Sequence, residues 1–170
     1  MEKDILYLNQ KIREKIFQNP NKLLPIIEEK RNAGKKIVFG NGCFDLWHVG
    51  HTRYLYSAKS LGDILLIAVN TDESMRRIKS NRQNPVTPDY ERFEIVAGIG
   101  AVDYVIPLEE NTPISLIELF RPEIHTKGTD YVNRYIPEKE VVESYGGKVM
   151  LVGDPKNHST TELLNQIRRK

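Results

Sequence analysis

The stretch Asn41 to His51, NGCFDLWHVGH, places two of the chain's four histidines, His48 and His51, three residues apart directly behind a glycine-containing turn. On a helix, positions i and i+3 share one face, so both imidazoles point the same way from a first turn. That first turn also carries unpaired backbone N–H groups and the positive end of the helix dipole. Amides that hold non-bridging oxygens, beside imidazoles that donate to a phosphoryl group gaining charge, are the parts that an in-line displacement on a triphosphate uses. Gly50, between the histidines, leaves room for a nucleotide to lie close against the backbone.

Other chemistries fit these residues less well. Gly40-Asn41-Gly42 begins like a dinucleotide fingerprint, but Asp45 stands where G-x-G-x-x-G needs its third glycine. No G-K-[ST] occurs, and Lys127-Gly128-Thr129 has that order reversed, so a Walker A loop fails as well. The histidine pair would also serve as zinc ligands with Cys43, His125 or His158 as a third, although no second cysteine or nearby glutamate completes a familiar spacing. The remaining alternative is that both histidines merely cap and pack the helix.

The elements that must position this pair are legible as period changes. Ile5, Leu8, Ile12 and Ile16 recur at spacings of three and four, which predicts an amphipathic helix from Asp4 to Ile16, broken by Asn19-Pro20-Asn21. Leu23, Leu24, Ile26 and Ile27 mark a second helix ending near Gly34, so residues 1–34 read as an N-terminal helical arm and 35–170 as the main domain. From Lys36 the chain turns to short apolar runs, KIVFGN, ILLIAVN, AVDYVIP, EIHTKG and GKVMLVG. Between and after them lie expected helices at Val49 to Leu61, Glu73 to Lys79, Pro88 to Gly98, Pro113 to Phe120, Pro137 to Tyr145 and Thr160 to Arg169. Strands alternating with helices predict an α/β fold, a Rossmann-like parallel sheet of about five strands with helices on both faces. Ligands then bind beyond the carboxyl ends of the strands, at a switch point in their order.

Composition narrows the partners. A net charge of +2 with no basic block argues for a small anionic substrate rather than nucleic acid. The single cysteine, Cys43, excludes an intrachain disulfide, suits a reducing compartment, and lacks a base beside it in sequence that would make it a nucleophile. No apolar run approaches the roughly 18 residues of a membrane span or a signal core, which predicts a cytoplasmic protein with no membrane partner.

GCFDLWHVGH resembles the H-x-G-H signature of the nucleotidyltransferase superfamily that includes glycerol-3-phosphate cytidylyltransferase, FAD synthetase and pantetheine-phosphate adenylyltransferase. The segments LGDILLIAVNTDESMRRIK, AVDYV, TPISLIELFRPEIHTKGTDY, YGGKV and HSTTELL, in this order, are similar to the adenylyltransferases that make ADP-heptose. The likeness runs from about Lys36 to Ile167 and implies the standalone form of that enzyme. It implies that His48 and His51 stabilise the α-phosphate and the leaving pyrophosphate, helped by Lys59 and by Arg92 as a phosphate clamp. Asn41, Gly42, Cys43 and Phe44 would line the phosphate-binding turn, and Asp45 would brace it. Asn70, Asp72, Lys127 and the Ser159, Thr160 and Thr161 triplet would complete the nucleotide site.

The resemblance also implies AMP transfer from ATP to heptose 1-phosphate, Mg²⁺ as cofactor, and a homodimer. Two positions depart from it. Thr129 replaces a glycine of the family's K-G-G-D-Y, which implies a changed backbone there, and Arg53 resembles the lysine of cytidylyltransferases acting on glycerol 3-phosphate, the alternative reading. A catalytically dead nucleotide-binding module is the alternative from outside the enzymes.

Overall fold

The apolar runs become a sheet, and all but the last, the largely exposed edge run GKVMLVG, are buried on both faces. In the computed structural model, which describes residues 9–78 and 85–154, β1 (Ile37–Gly42), β2 (Ile64–Asn70), β3 (Tyr104–Leu108), β4 (Ile124–Gly128) and β5 (Lys148–Val152) pair in parallel in the order β3-β2-β1-β4-β5. Alternation along the strands sorts the side chains. Ile37, Phe39, Leu66, Ala68 and Ile106 join one cluster, and Val38, Leu65, Ile67, Val69 and Val105 the other. Such two-sided burial is what makes parallel strands read as continuous apolar runs.

Helices cover each face. The first cluster holds α1 (Pro20–Asn32) through Leu23 and Ile27, with α5 (Ile114–Phe120) and α6 (Glu138–Ser144) contributing Ile117, Phe120 and Val142. The second receives Leu55 and Ala58 of α2 (Val49–Lys59) and Phe93 and Val96 of α4 (Asp89–Ala97). Between them in sequence lies α3 (Asp72–Ile78), which follows β2. The chain builds β1, β2 and β3 outward, then returns to lay β4 on the other side of β1, so the switch point falls between β1 and β4.

Two expectations change here. The helix predicted to reach Ile16 is helical over 9–13, and Ile16 instead makes a parallel bridge to Val105. The amide of Phe17 donates to the Val105 carbonyl at 2.9 Å and the amide of Val105 to the Lys15 carbonyl at 2.8 Å. β3 is an edge strand with open backbone groups, and pairing them outweighs a further helical turn. β3 also starts at Tyr104 rather than Ala101, because the amide of Val102 closes a turn onto the Ile99 carbonyl. The predicted helix from Thr160 to Arg169 lies outside the described residues.

His125 on β4 gives the fold a pH dependence. It is fully buried, with Nδ1 3.3 Å from the Phe39 carbonyl oxygen. Burial, reinforced by the charge of Lys127, pushes its pKa down from 6.5 to about 3. The unfolded chain therefore binds a proton below about pH 6.5 that the folded chain refuses until about pH 3. Stability is fully present above the unfolded value and is lost as pH falls through that window. The unfolding free energy in urea should drop by about 2 kcal/mol from this residue between pH 7 and pH 5. Most of that drop should vanish in His125→Gln, and an unchanged acid limb in the variant would show that His125 does not cause it.

Candidate active site

β1 ends in Asn41 and Gly42, and the six residues after it form the loop that delivers His48 to the N-terminus of α2. The loop's backbone is unusual at Phe44, whose φ of 46° is left-handed. A buried ring holds it there: Phe44 lies 5.3 Å from the His51 ring, 6.2 Å from Trp47 and 6.4 Å from Tyr54, centroid to centroid. A Cβ at Gly42 would come within 3.0 Å of the Phe44 ring, so a larger residue there would have to push the ring aside. Asp45, also buried, accepts the amides of Val86 and Thr87 at 2.9 and 3.0 Å and so ties the loop to the entry of α4.

His48 is the N-cap residue of α2 in extended conformation, yet its side chain makes no capping bond. The imidazoles of His48 and His51 stack at 3.8 Å with 23° between planes. One face of the helix's first turn therefore carries both rings together, as their spacing predicts, and the capping role is excluded for His48. Tyr54, one further turn along, donates its hydroxyl to the Thr126 carbonyl at 3.0 Å, and burial raises its pKa to about 12, so the phenol stays protonated.

The rings open onto a crevice of about 620 Å³ beyond the carboxyl ends of the strands, at the β1/β4 switch. Its volume is in the range of ordinary small-molecule sites. Of the expected site residues, Asn41, Gly42, Cys43, Phe44, Asp45, His48, Gly50, His51, Asn70 and Lys127 line it. Tyr54, Asn111, Tyr131, Glu138 and Asp154 line it too, and the sequence did not single them out. Tyr54 carried a signal, three residues after His51 and on the same helix face. Glu138 carried none, since an acidic residue in a first turn is what any helix favours.

Lys59, Arg92 and Asp72 require correction. Lys59 ends the helix that His48 begins, about 16 Å along its axis. Its ammonium bonds the Asp103 carboxylate and the Asp63 carbonyl, each at 2.5 Å, and it does not line the crevice. Lys59→Ala should leave turnover unchanged while lowering stability by about 1 kcal/mol, the scale of a part-exposed ion pair. A large loss of turnover in that variant would return the residue to the site.

Arg92 is fully buried and is no phosphate clamp. Its Nε donates to Thr87 O at 2.9 Å, Nη1 to Cys43 O at 2.6 Å and Asn70 O at 2.7 Å, and Nη2 to the Asp72 carboxylate at 2.7 Å. Asp72 is thereby a partner of Arg92 rather than a liner of the crevice. A guanidinium spreads donors over several acceptors in fixed geometry, and here it fastens the phosphate turn to β2 and the α4 entry.

Thr129 is also at ease. It opens a 3₁₀ turn (Thr129–Tyr131), and the positive-φ residues other than glycine are Phe44, Arg121 and Asn133 among those described. Its hydroxyl donates to the Asp154 carbonyl at 2.6 Å, while the Asp154 carboxylate pairs with Arg53. Cys43, partly exposed, places its Sγ 3.7 Å from Asn70 Oδ1. Ser159, Thr160 and Thr161, and His158, lie outside the described residues. His125 is buried against Phe39, and no group of three His, Cys, Asp or Glu residues among those described is placed to hold a metal.

Residues 39–167 match the family model described as cytidylyltransferase-like. The chain belongs to the cytidylyltransferase-like family. That agrees with the H-x-G-H resemblance and with the fold. The bifunctional protein HldE of Geobacter metallireducens is 46% identical over 153 residues, covering 90% of this chain and 31% of the relative. HldE of Pseudomonas paraeruginosa is 43% identical over 148 residues, covering 87% and 31%. The chain thus spans about a third of the length of the curated relatives it matches. Among solved structures, the lipopolysaccharide core biosynthesis protein of Thermoplasma volcanium superposes with a TM-score of 0.61 at 25% identity, over 72% of this chain and all of that one. Pantoate-beta-alanine ligase of Francisella tularensis, at 17% identity and a TM-score of 0.55 over 91% of this chain and 78% of its own, shares the fold.

Proposed function

We propose that the chain transfers AMP from ATP to the phosphate of heptose 1-phosphate, giving ADP-heptose and pyrophosphate. The observation that carries this is the stacked His48 and His51 at the start of α2, facing the crevice at the switch point beside the Gly42 turn. The likeness to HldE supports the choice of nucleotide and sugar. A phosphate oxygen of the acceptor attacks the α-phosphorus of ATP and the bond to pyrophosphate breaks. The nucleophile is already an anion at neutral pH, so the chain has no strong base to supply. Its work is positioning and charge stabilisation, with turn amides and α2 N–H groups on non-bridging oxygens and the imidazoles on the charge that develops.

Mg²⁺ fits this crevice as an ion carried mainly by phosphates, because at least three of the four lining carboxylates already hold partners within the protein. Asp45 holds the Val86 and Thr87 amides, Glu138 holds Lys127 and Asp154 holds Arg53. When bound, the ion neutralises phosphate charge. No helix among the described residues is long and apolar enough to cross a membrane. With nucleotide and sugar phosphate as substrates, the setting proposed is the cytoplasm, and the assembly a homodimer, which a monomer mass in light scattering would exclude.

CTP with glycerol 3-phosphate is the second reading, resting on Arg53. Pairing of that guanidinium with Asp154 weakens it. Pyrophosphate release, with ATP and CTP crossed against heptose 1-phosphate, glycerol 3-phosphate and no acceptor, separates the two. Release with ATP and the heptose phosphate supports the proposal, whereas release only with CTP and glycerol 3-phosphate replaces it. Silence in every combination favours a non-catalytic binding module.

A further inference from the structure

At the β4 side of the crevice, Lys127 and Glu138 are only 5% and 3% exposed although both line it. The Lys127 ammonium donates to Glu138 Oε1 at 2.7 Å and to Asn41 Oδ1 at 3.1 Å, and lies 5.1 Å from the centre of the Tyr131 ring. The second carboxylate oxygen, Glu138 Oε2, is buried and has no hydrogen-bond partner among the described residues. A buried acceptor left in that state is unfavourable, and a donor arriving with a ligand relieves it.

The surroundings restrict what that donor is. A cation meets the Lys127 ammonium, and a phosphate meets the Glu138 carboxylate, with the ammonium's charge already matched. A neutral donor suffers neither repulsion. Asn41, whose amide oxygen is taken by Lys127, presents its NH₂ as a donor on the same wall. One acceptor and one donor are the complement of a hydroxyl group, which gives and takes a hydrogen bond at once.

We infer that Glu138 Oε2 reads a ring hydroxyl of a bound substrate, making Glu138 a specificity-determining residue of the crevice. Such a hydroxyl belongs either to the ribose of the nucleotide or to the sugar of the acceptor. This inference rests on the proposed nucleotidyl transfer for its ligands, and its test reads binding alone. Isothermal titration would compare ATP with 2′-deoxy-ATP and 3′-deoxy-ATP, and heptose 1-phosphate with its monodeoxy analogues. Removing the hydroxyl that Glu138 reads should weaken binding to the wild type about tenfold or more, as expected for a hydrogen bond to a charged acceptor. Glu138→Gln, which puts an N–H donor in place of the acceptor, should erase most of that penalty. The series that shows the penalty assigns the hydroxyl to ribose or to the acceptor sugar.

Equal binding of every deoxy analogue and its parent by the wild type would overturn the inference without any variant, as would no binding by either series. A penalty unchanged in a folded Glu138→Gln variant would overturn it too. A wild type that discriminates hydroxyls but releases no pyrophosphate would keep this inference and lose the transfer reading.

Discussion

Replacing His48 or His51 by alanine should lower turnover by a factor of about a hundred to a thousand, the scale of losing one preorganised donor to developing charge. The fold should survive, because both side chains stand at the crevice wall rather than in either apolar cluster. Stacking at 3.8 Å makes the rings one unit, so each single variant also releases the partner ring from its orientation. The double variant should therefore fall well short of the product of the two single losses. Steady-state kinetics on both single variants and the double, with thermal melts alongside, would check this. Near-normal turnover in either single variant would remove that residue from the reaction, and full multiplicativity would show two independent contributions.

Arg92→Met should be the most destabilising single change in the site region. It strands the Asp72 carboxylate and the carbonyls of Thr87, Cys43 and Asn70, all of which the guanidinium serves. Breaking a buried charged pair by removing one partner costs about 3–5 kcal/mol. At roughly 2–4 °C per kcal/mol for a chain of this size, the melting temperature should fall by about 10 °C. Activity should fall as well, by about a hundredfold, because small displacements of the phosphate turn spoil alignment. Arg92→Lys should not restore stability, since an ammonium cannot span the same acceptors. A phosphate clamp would behave differently, with the KM for ATP raised and the melt unchanged. That outcome would contradict the bracing role.

What the sequence made legible follows from range. ILLIAVN reads as a strand from local pattern alone, and Ile64–Asn70 is β2 in full. The histidine pair is likewise local, since a helix turn fixes the relation of His48 to His51 without help from elsewhere. The errors fall on charged residues whose partners are distant in sequence. Arg92 bonds Cys43, 49 positions away, and Lys59 bonds Asp103, 44 positions away. Charge beside a phosphate motif looks like substrate chemistry until those partners appear. Glu138 and Asp154 were missed for the converse reason: the return of the chain to β4 and β5 brings them to the crevice, and no motif announces that. Thr129 misled because a glycine in a family pattern suggests positive φ, whereas the turn here uses ordinary backbone and the threonine hydroxyl bonds Asp154.

The most direct measurement is phosphorus NMR on the wild-type protein with ATP, Mg²⁺ and heptose 1-phosphate. Attack at the α-phosphorus predicts the coupled pair of a new sugar diphosphate together with free pyrophosphate, growing in equal amounts as ATP and heptose 1-phosphate disappear. ADP appearing with a bisphosphorylated sugar, or ADP with orthophosphate, would place the attack at the γ-phosphorus and contradict nucleotidyl transfer by this chain.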